Sequence, residues 1–210
     1  MIVDLGLIDY QQALLEQKEF AANRRFGEVS DSLLIAQHPA VFTIGRTGGR
    51  KNLLVDEGLL CENGIKVYNV DRGGDITFHG PGQLVAYPII DLRARGRDLH
   101  RYMRDLEEVI ISFFSEYAVS AARREGLTGV WIGESKIASI GVSARDWVTY
   151  HGLSINLNVN TIFFSMINPC GMKDLKVTSL HDVLKRRVDY ARAKKRFVAS
   201  FRRVFDIPEG

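Results

Sequence analysis

Cysteine is scarce in this chain, whose 210 residues include two, at positions 61 and 170. Two cysteines cannot form the disulfide framework of a small secreted domain, so we predict a cytoplasmic protein with at most one functional thiol. No apolar run reaches the roughly 18 residues that a transmembrane helix needs. The segment Met1–Gly6 has no basic region followed by an apolar core. We therefore expect no membrane association and no targeting segment.

Motifs that bind metals or nucleotides are also missing. The sequence has no Cys-x-x-Cys, no His-x-x-x-His and no carboxylate cluster at ligand spacing, so we expect no metal site. Arg72-Gly73-Gly74 is not a P-loop, and no Gly-x-Gly-x-x-Gly follows a predicted strand. The sequence therefore shows no specific signature of nucleotide binding. We predict a protein that needs no cofactor.

Basic residues are concentrated near the end of the sequence. The segment 185–210 holds nine basic and three acidic residues, although the whole chain has a net charge of +3. A helix predicted over about 188–205 would place phenylalanines on one face and basic residues on the other. This basic stripe lacks interleaved aromatic residues, which argues against nucleic acid and leaves a solvated face or a docking surface for acidic proteins. The stripe consists of Arg192, Lys195, Arg196, Arg202 and Arg203.

The order of helical and strand-like segments predicts an α/β (α+β) fold, with a mixed sheet flanked by helices. Helical periodicity marks 10–25, after the capping residue Asp9, and 98–117. Glycines at 45, 48 and 49 predict a flexible loop, and no linker or repeat divides the chain, so we predict one domain over 1–210. Runs of branched and aromatic residues predict strands at 33–36, 41–44, 65–70, 84–92, 130–132, 137–142, 147–150 and 153–159.

The segment Arg72–Gln83 is the most informative stretch of the chain. Its twelve residues include four glycines, one proline, one arginine and one histidine. Glycine lets the backbone adopt positive φ and approach a ligand closely. Because the segment lies between two strand-like segments, it predicts a loop that holds a ligand.

Cys170 is a candidate nucleophile. It lies between Pro169 and Gly171, which favour a turn that leaves the thiol accessible, although a lone cysteine is commonly a small buried residue. Cys61 follows two leucines and fits that ordinary packing role.

A thiol reacts as the thiolate and needs a base or cation beside it. The candidates are Lys136, His79, His151 and Arg72. Lys136 begins an apolar strand, where a lysine commonly extends to solvent, and a lone histidine is commonly a hydrogen-bonded structural residue. Spacing alone leaves these alternatives open.

Four blocks of the sequence resemble the octanoyltransferase family, the lipoyl(octanoyl) transferases of protein lipoylation. Their order and spacing agree with the family from about Asp31 to Leu180. The resemblance implies a fold similar to that of biotin and lipoate protein ligases. The blocks are Arg72–Pro88, Gly129–Gly141, Thr149–Asn156 and Ile167–Gly171.

The same resemblance implies an acyltransferase that moves an octanoyl group from octanoyl-acyl carrier protein to a lysine of lipoyl domains, including those of 2-oxoacid dehydrogenase complexes. It implies Cys170 as the catalytic nucleophile, acylated as a thioester, and Lys136 as its catalytic partner. It implies substrate-binding roles for Arg72, Gly73, Gly74, Asp75, Ile76, Thr77, Phe78, His79, Ser139, Ile140, Gly141, Gly152, Leu153 and Ser154.

Other functions remain open from the sequence. An ATP-dependent lipoate or biotin protein ligase would share the fold but would activate a free acid. A thioester hydrolase would use Cys170 with His79 and release the free acid. A non-catalytic binding module would hold the same partners without turnover.

Overall fold

The computed structural model describes residues 1–208 and contains two sheets. The larger sheet has seven strands in the order β1-β2-β6-β10-β9-β8-β7, and the smaller has three in the order β4-β3-β5. In chain order the strands are β1 Ile2–Leu7, β2 Ser32–Gln37, β3 Val41–Ile44, β4 Lys66–Asn69, β5 Ile76–His79, β6 Gln83–Ile89, β7 Ala122–Arg124, β8 Leu127–Ile132, β9 Ser135–Arg145 and β10 Val148–Asn156.

Strand pairing is mainly antiparallel in the larger sheet, whereas the smaller sheet has one parallel and one antiparallel pair. Parallel pairs join β1 to β2 and β3 to β4. The centre of the larger sheet is antiparallel throughout, with β10 between β6 and β9. The predicted mixed sheet flanked by helices is therefore confirmed.

Helices cover both faces of the larger sheet. No helix among residues 1–208 is long and apolar enough to span a membrane. Contacts with the sheet involve α1 on one side and the pair α3 and α5 on the other. The α-helices are α1 Tyr10–Phe26, α2 Glu57–Glu62, α3 Leu99–Ser115, α4 Leu180–Leu184 and α5 Tyr190–Phe205.

The three predicted helices are confirmed with small shifts at their ends. Asp9 caps α1 by accepting a hydrogen bond from the Gln11 amide at 2.8 Å. Asp98 caps α3 in the same way, accepting from the Arg101 amide at 2.9 Å. The aspartates satisfy amides that have no partner within the helix, which is why each helix begins there.

The prediction that 72–83 is entirely loop was wrong, because β5 lies within it. Its side chains are buried, and β5 pairs antiparallel with β3, the central strand of the smaller sheet. Glycines on both sides conceal this four-residue strand in the sequence. The two strands predicted at 147–150 and 153–159 are the single strand β10, in which His151 adopts a φ of 55°.

The basic stripe on α5 is partly committed to contacts inside the molecule. The guanidinium of Arg196 donates to the Glu116 carbonyl oxygen at 2.8 Å and lies 4.5 Å from the Tyr117 ring centroid. Arg203 donates to the hydroxyl of Ser112. Two of the five basic residues therefore also attach α5 to the end of α3, while Arg192, Lys195 and Arg203 remain exposed to solvent.

Candidate active site

A β-bulge sets the direction of Lys136. Trp131 pairs with Lys136 while the preceding residue, Val130, pairs with Ala138, so Ile137 is an extra residue in β9. An extra residue shifts the alternation of a strand and redirects the side chain beside it. Lys136 is 5% exposed, so the alternative in which it extends to solvent was wrong.

The Lys136 ammonium lies against the Cys170 thiol. Its Nζ is 3.2 Å from Sγ of Cys170 and donates to the Thr128 carbonyl oxygen at 3.0 Å. The Trp131 ring centroid lies 5.1 Å from the same nitrogen. A side chain at Gly129 would come within 2.7 Å of Lys136 Cε, so glycine there leaves room for the lysine.

Cys170 sits in a tight 3₁₀ turn, Pro169–Gly171, that presents its thiol to solvent. Its φ of 57° is in the left-handed region, which residues with side chains seldom adopt. The turn is closed by the Gly171 amide, which donates to the Asn168 carbonyl oxygen at 2.9 Å. The predicted turn and the accessible thiol are both present.

Asn52 supports this turn and was missed by the sequence analysis. Its carbonyl oxygen accepts a hydrogen bond from the Asn168 amide at 2.8 Å. Its side-chain amide donates to the Asp75 carboxylate at 2.5 Å, and the other oxygen of that carboxylate accepts from the Ile76 amide at 2.6 Å. Asn52 thus joins the turn of Cys170 to the segment that follows Arg72. Asn52 is far in sequence from both of these segments, so no local pattern indicated its role.

Two cavities meet at Cys170. One is a narrow channel of about 50 Å³, enough for about four water molecules, which suits an unbranched chain. The channel is lined by thirteen of the fourteen predicted substrate-binding residues; Phe78 is the exception. Phe78 instead packs in the core of the smaller sheet, with its ring stacked on Phe163 at 4.7 Å.

The second cavity is an open cleft of about 770 Å³. Cys170 and Lys136 both line it, together with Trp131 and two further lysines, Lys51 and Lys173. The thiol is therefore reachable from a wide cleft on one side and from a narrow channel on the other.

Arg72 is buried where the smaller sheet meets the larger one. Its guanidinium donates to the carbonyl and hydroxyl oxygens of Thr43 at 2.7 and 2.9 Å. Burial lowers the pKa of Arg72. The loop predicted to be flexible is held against this region, because the amides of Gly45 and Arg46 donate to the carbonyl oxygens of Asp75 and Arg72.

The two candidate histidines are engaged elsewhere. His79 is hydrogen-bonded to Gln83 at 2.7 Å, and burial lowers its pKa to about 3. His151 is hydrogen-bonded to the Asp71 carboxylate at 2.8 Å, and burial nevertheless lowers its pKa to about 4. Of the four candidate partners for the thiol, the structure places Lys136 within hydrogen-bonding distance.

Cys61 lies exposed on α2, so its predicted packing role was wrong. The flanking leucines suggested a core position, but the short helix turns the cysteine outward. Among residues 1–208, no three His, Cys, Asp or Glu side chains cluster as a metal site.

Residues 9–202 match the family described as the lipoyl protein ligase A/B catalytic domain. Octanoyltransferases from Geobacter metallireducens and Geotalea uraniireducens are 46% and 44% identical to this chain. These matches cover 96% and 98% of this chain, and 91% and 92% of those proteins. This chain belongs to the octanoyltransferase family. It is accordingly an enzyme, an acyltransferase of octanoyl transfer in lipoylation.

Solved structures confirm the fold expected of an octanoyltransferase. A bipartite lipoate protein ligase from Thermoplasma acidophilum aligns with a TM-score of 0.75 at 16% identity, covering 100% of this chain and 84% of that one. A lipoate-protein ligase A bound with ATP aligns with a TM-score of 0.75 at 14% identity, covering 98% of this chain and 85% of that one. A biotin protein ligase from Aquifex aeolicus aligns with a TM-score of 0.58 at 13% identity, covering 98% of this chain and 70% of that one.

Proposed function

We propose that this enzyme transfers the octanoyl group of octanoyl-acyl carrier protein to a lysine of lipoyl domains, including those of 2-oxoacid dehydrogenase complexes, through a thioester on Cys170. The observation that carries the proposal is the contact of 3.2 Å between Lys136 Nζ and Cys170 Sγ, where the narrow channel meets the open cleft. The nucleophile and its base therefore lie between a site for the acyl chain and a site for the partners.

The first half-reaction loads the enzyme. Neutral Lys136 takes the proton of the Cys170 thiol, and the thiolate attacks the thioester carbonyl of the donor. The carbon–sulfur bond to the carrier breaks as the new one to Cys170 forms. The departing carrier thiolate takes the proton from Lys136, which leaves the lysine neutral for the next step.

The second half-reaction releases the product. The ε-amine of the lipoyl-domain lysine attacks the octanoyl-Cys170 carbonyl and gives its proton to Lys136. An amide forms, the bond to Cys170 breaks, and the thiolate recovers the proton from Lys136. Because the donor is already an activated thioester, the sequence of steps uses no ATP.

The two cavities suit the two kinds of substrate group. The channel buries the acyl chain, and each CH₂ removed from water contributes about 0.8 kcal/mol. The cleft receives in turn the thiol-bearing arm of the donor and the acceptor lysine. Lys51 and Lys173 on the cleft provide positive charge for acidic partners.

Intact mass spectrometry tests the thioester. Incubation with octanoyl-acyl carrier protein should add one octanoyl mass that hydroxylamine removes. Cys170→Ala should abolish the adduct, whereas Cys61→Ala, which removes the other exposed thiol, should keep it. An adduct that persists in Cys170→Ala would contradict the proposal.

The competing activities give different products from the same incubation. A ligase would form lipoyl-domain amide from free octanoate only with ATP, and would not need Cys170. A hydrolase would release free octanoate when the lipoyl domain is present. Amide formation from the thioester donor without ATP is the result we expect.

A further inference from the structure

Part of the channel is lined by buried polar side chains. We call Tyr10, His79, Tyr87 and His151 the polar end wall; all four line the channel, and each is at most 6% exposed. Three of them, His79 excepted, lie outside the segments to which the sequence resemblance gave a substrate-binding role. Elsewhere the channel lining includes aliphatic residues such as Ile140 and Leu153.

The order of the strands puts this wall across the sheet from the thiol. Lys136, which contacts Cys170, belongs to β9, whereas Tyr87 belongs to β6, and β10 lies between these strands. Tyr10 belongs to α1, which packs over β6 and β10. An acyl group on Cys170 therefore extends over β10 towards Tyr87 and Tyr10.

The wall is held in place by its own contacts. The Tyr87 hydroxyl is 2.6 Å from Nε2 of His38, whose Nδ1 bonds to the Ile8 carbonyl oxygen at 2.8 Å. The Tyr10 ring stacks on His79 with centroids 5.8 Å apart. A side chain fixed on several sides cannot turn away easily to lengthen the channel.

The small volume of the channel limits the acyl chain. Its volume of about 50 Å³ accommodates about four water molecules. In a space of this size, the additional methylene groups of a longer chain would press onto the polar end wall.

Polar groups make an unfavourable surface for additional methylenes. His151 is 1% exposed, and its Nδ1 has no hydrogen-bond partner within the described part of the chain. A methylene placed there would exclude water from that nitrogen without replacing its hydrogen bond. We propose that the polar end wall sets the acyl-chain length, accepting octanoyl and rejecting longer chains. This inference rests on the proposed function and names the residues that select its substrate.

Chain-length competition tests the inference. Carrier proteins loaded with hexanoyl, octanoyl, decanoyl or dodecanoyl groups are assayed with wild type, Tyr87→Leu and Tyr10→Leu. The readout is the decanoyl-to-octanoyl ratio of kcat/KM within each protein, which does not depend on the folded fraction. We expect the wild type to disfavour decanoyl by about tenfold or more, and each variant to raise the ratio by about tenfold.

The matched control is Tyr102→Leu. Tyr102 is equally buried but packs in the core beneath α3, outside the channel, so the ratio should stay at the wild-type value. A ratio within twofold of wild type in both Tyr87→Leu and Tyr10→Leu would overturn the inference, as would a wild type that takes decanoyl as well as octanoyl. A wild type that transfers no acyl chain would instead overturn the proposed function itself.

Discussion

The two faces of the larger sheet bury different kinds of side chain. Beneath α3 and α5 the core is apolar and rich in phenylalanine, with Phe113, Phe197 and Phe201 fully buried. The opposite face, beneath α1 and beside the smaller sheet, buries polar side chains such as His38 and Gln17. One sheet thus has a face that packs an apolar core and a face that lines the channel.

The two faces therefore contribute to different properties of the enzyme, one to its stability and the other to transfer. Burying a phenylalanine stabilises the folded state, whereas burying an imidazole adds little and requires that its hydrogen bonds be replaced. The polar face is retained at some cost in stability because it forms the channel. Substitutions on the two faces should therefore separate stability from transfer.

The largest expected effect is on the apolar face. Phe197→Ala should lower the free energy of unfolding by about 3–5 kcal/mol, because removing a fully buried ring leaves a cavity between α5 and α3. Urea unfolding followed by circular dichroism measures the loss. Transfer per folded molecule should stay near wild type; a large fall in that rate would erase the distinction between the two faces.

The second-largest effect is expected from substituting Lys136, the lysine beside the Cys170 thiol. Lys136→Ala should slow transfer by about 10² or more, equivalent to about 2.7 kcal/mol in the barrier, since both half-reactions of the proposed mechanism pass a proton through this amine. Lys136→Arg should not restore the rate, because arginine stays protonated. Single-turnover kinetics gives the rate.

Alkylation provides an independent measurement of the same contact. The pH profile of iodoacetamide alkylation at Cys170 should move to higher pH in Lys136→Ala, because the cation that stabilises the thiolate is gone. An unchanged alkylation profile would show that Lys136 does not stabilise the Cys170 thiolate.

The smallest effect per residue is the pH dependence of stability, and it belongs to the polar face. His79 and His151 have folded pKa values of about 3 and about 4, below the usual 6.5 of the unfolded chain. The unfolded state therefore binds more protons below pH 6.5, and stability falls as the pH falls. Between pH 7 and pH 5 each imidazole should cost about 2 kcal/mol.

Urea unfolding at both pH values measures this loss. His79→Gln should reduce it by about the share of one imidazole, whereas substitution of the exposed His100 to Gln should leave it unchanged. If the loss in His79→Gln matches that in wild type, burial of this imidazole does not govern the acid sensitivity.

Local patterns predicted the elements of the apolar face well. The helix α3 has a repeat of apolar residues at three and four positions and an aspartate that caps its first turn, so its signal is contained in consecutive residues. The four blocks of the family resemblance likewise indicated nearly all of the residues that line the channel.

Other features depend on contacts between distant segments. The bulge at Ile137 exists only because β8 and β9 pair with a shift of one residue, which no local pattern specifies. Asn52 and Tyr10 reach the site from a 3₁₀ turn and a helix end that carry no chemical motif. Spacing along the chain could not choose among Lys136, His79 and His151; folding did, by placing one amine at the thiol.

The left-handed backbone of Cys170 bears on any attempt to make this enzyme more heat-resistant. A residue with a side chain pays about 1–2 kcal/mol at such a φ, and glycine does not. Glycine at position 170 should therefore raise the melting temperature while removing the thiol. A library selected for heat resistance alone would enrich inactive enzymes at this position, so thermal selection has to be coupled to an assay that requires the thiol.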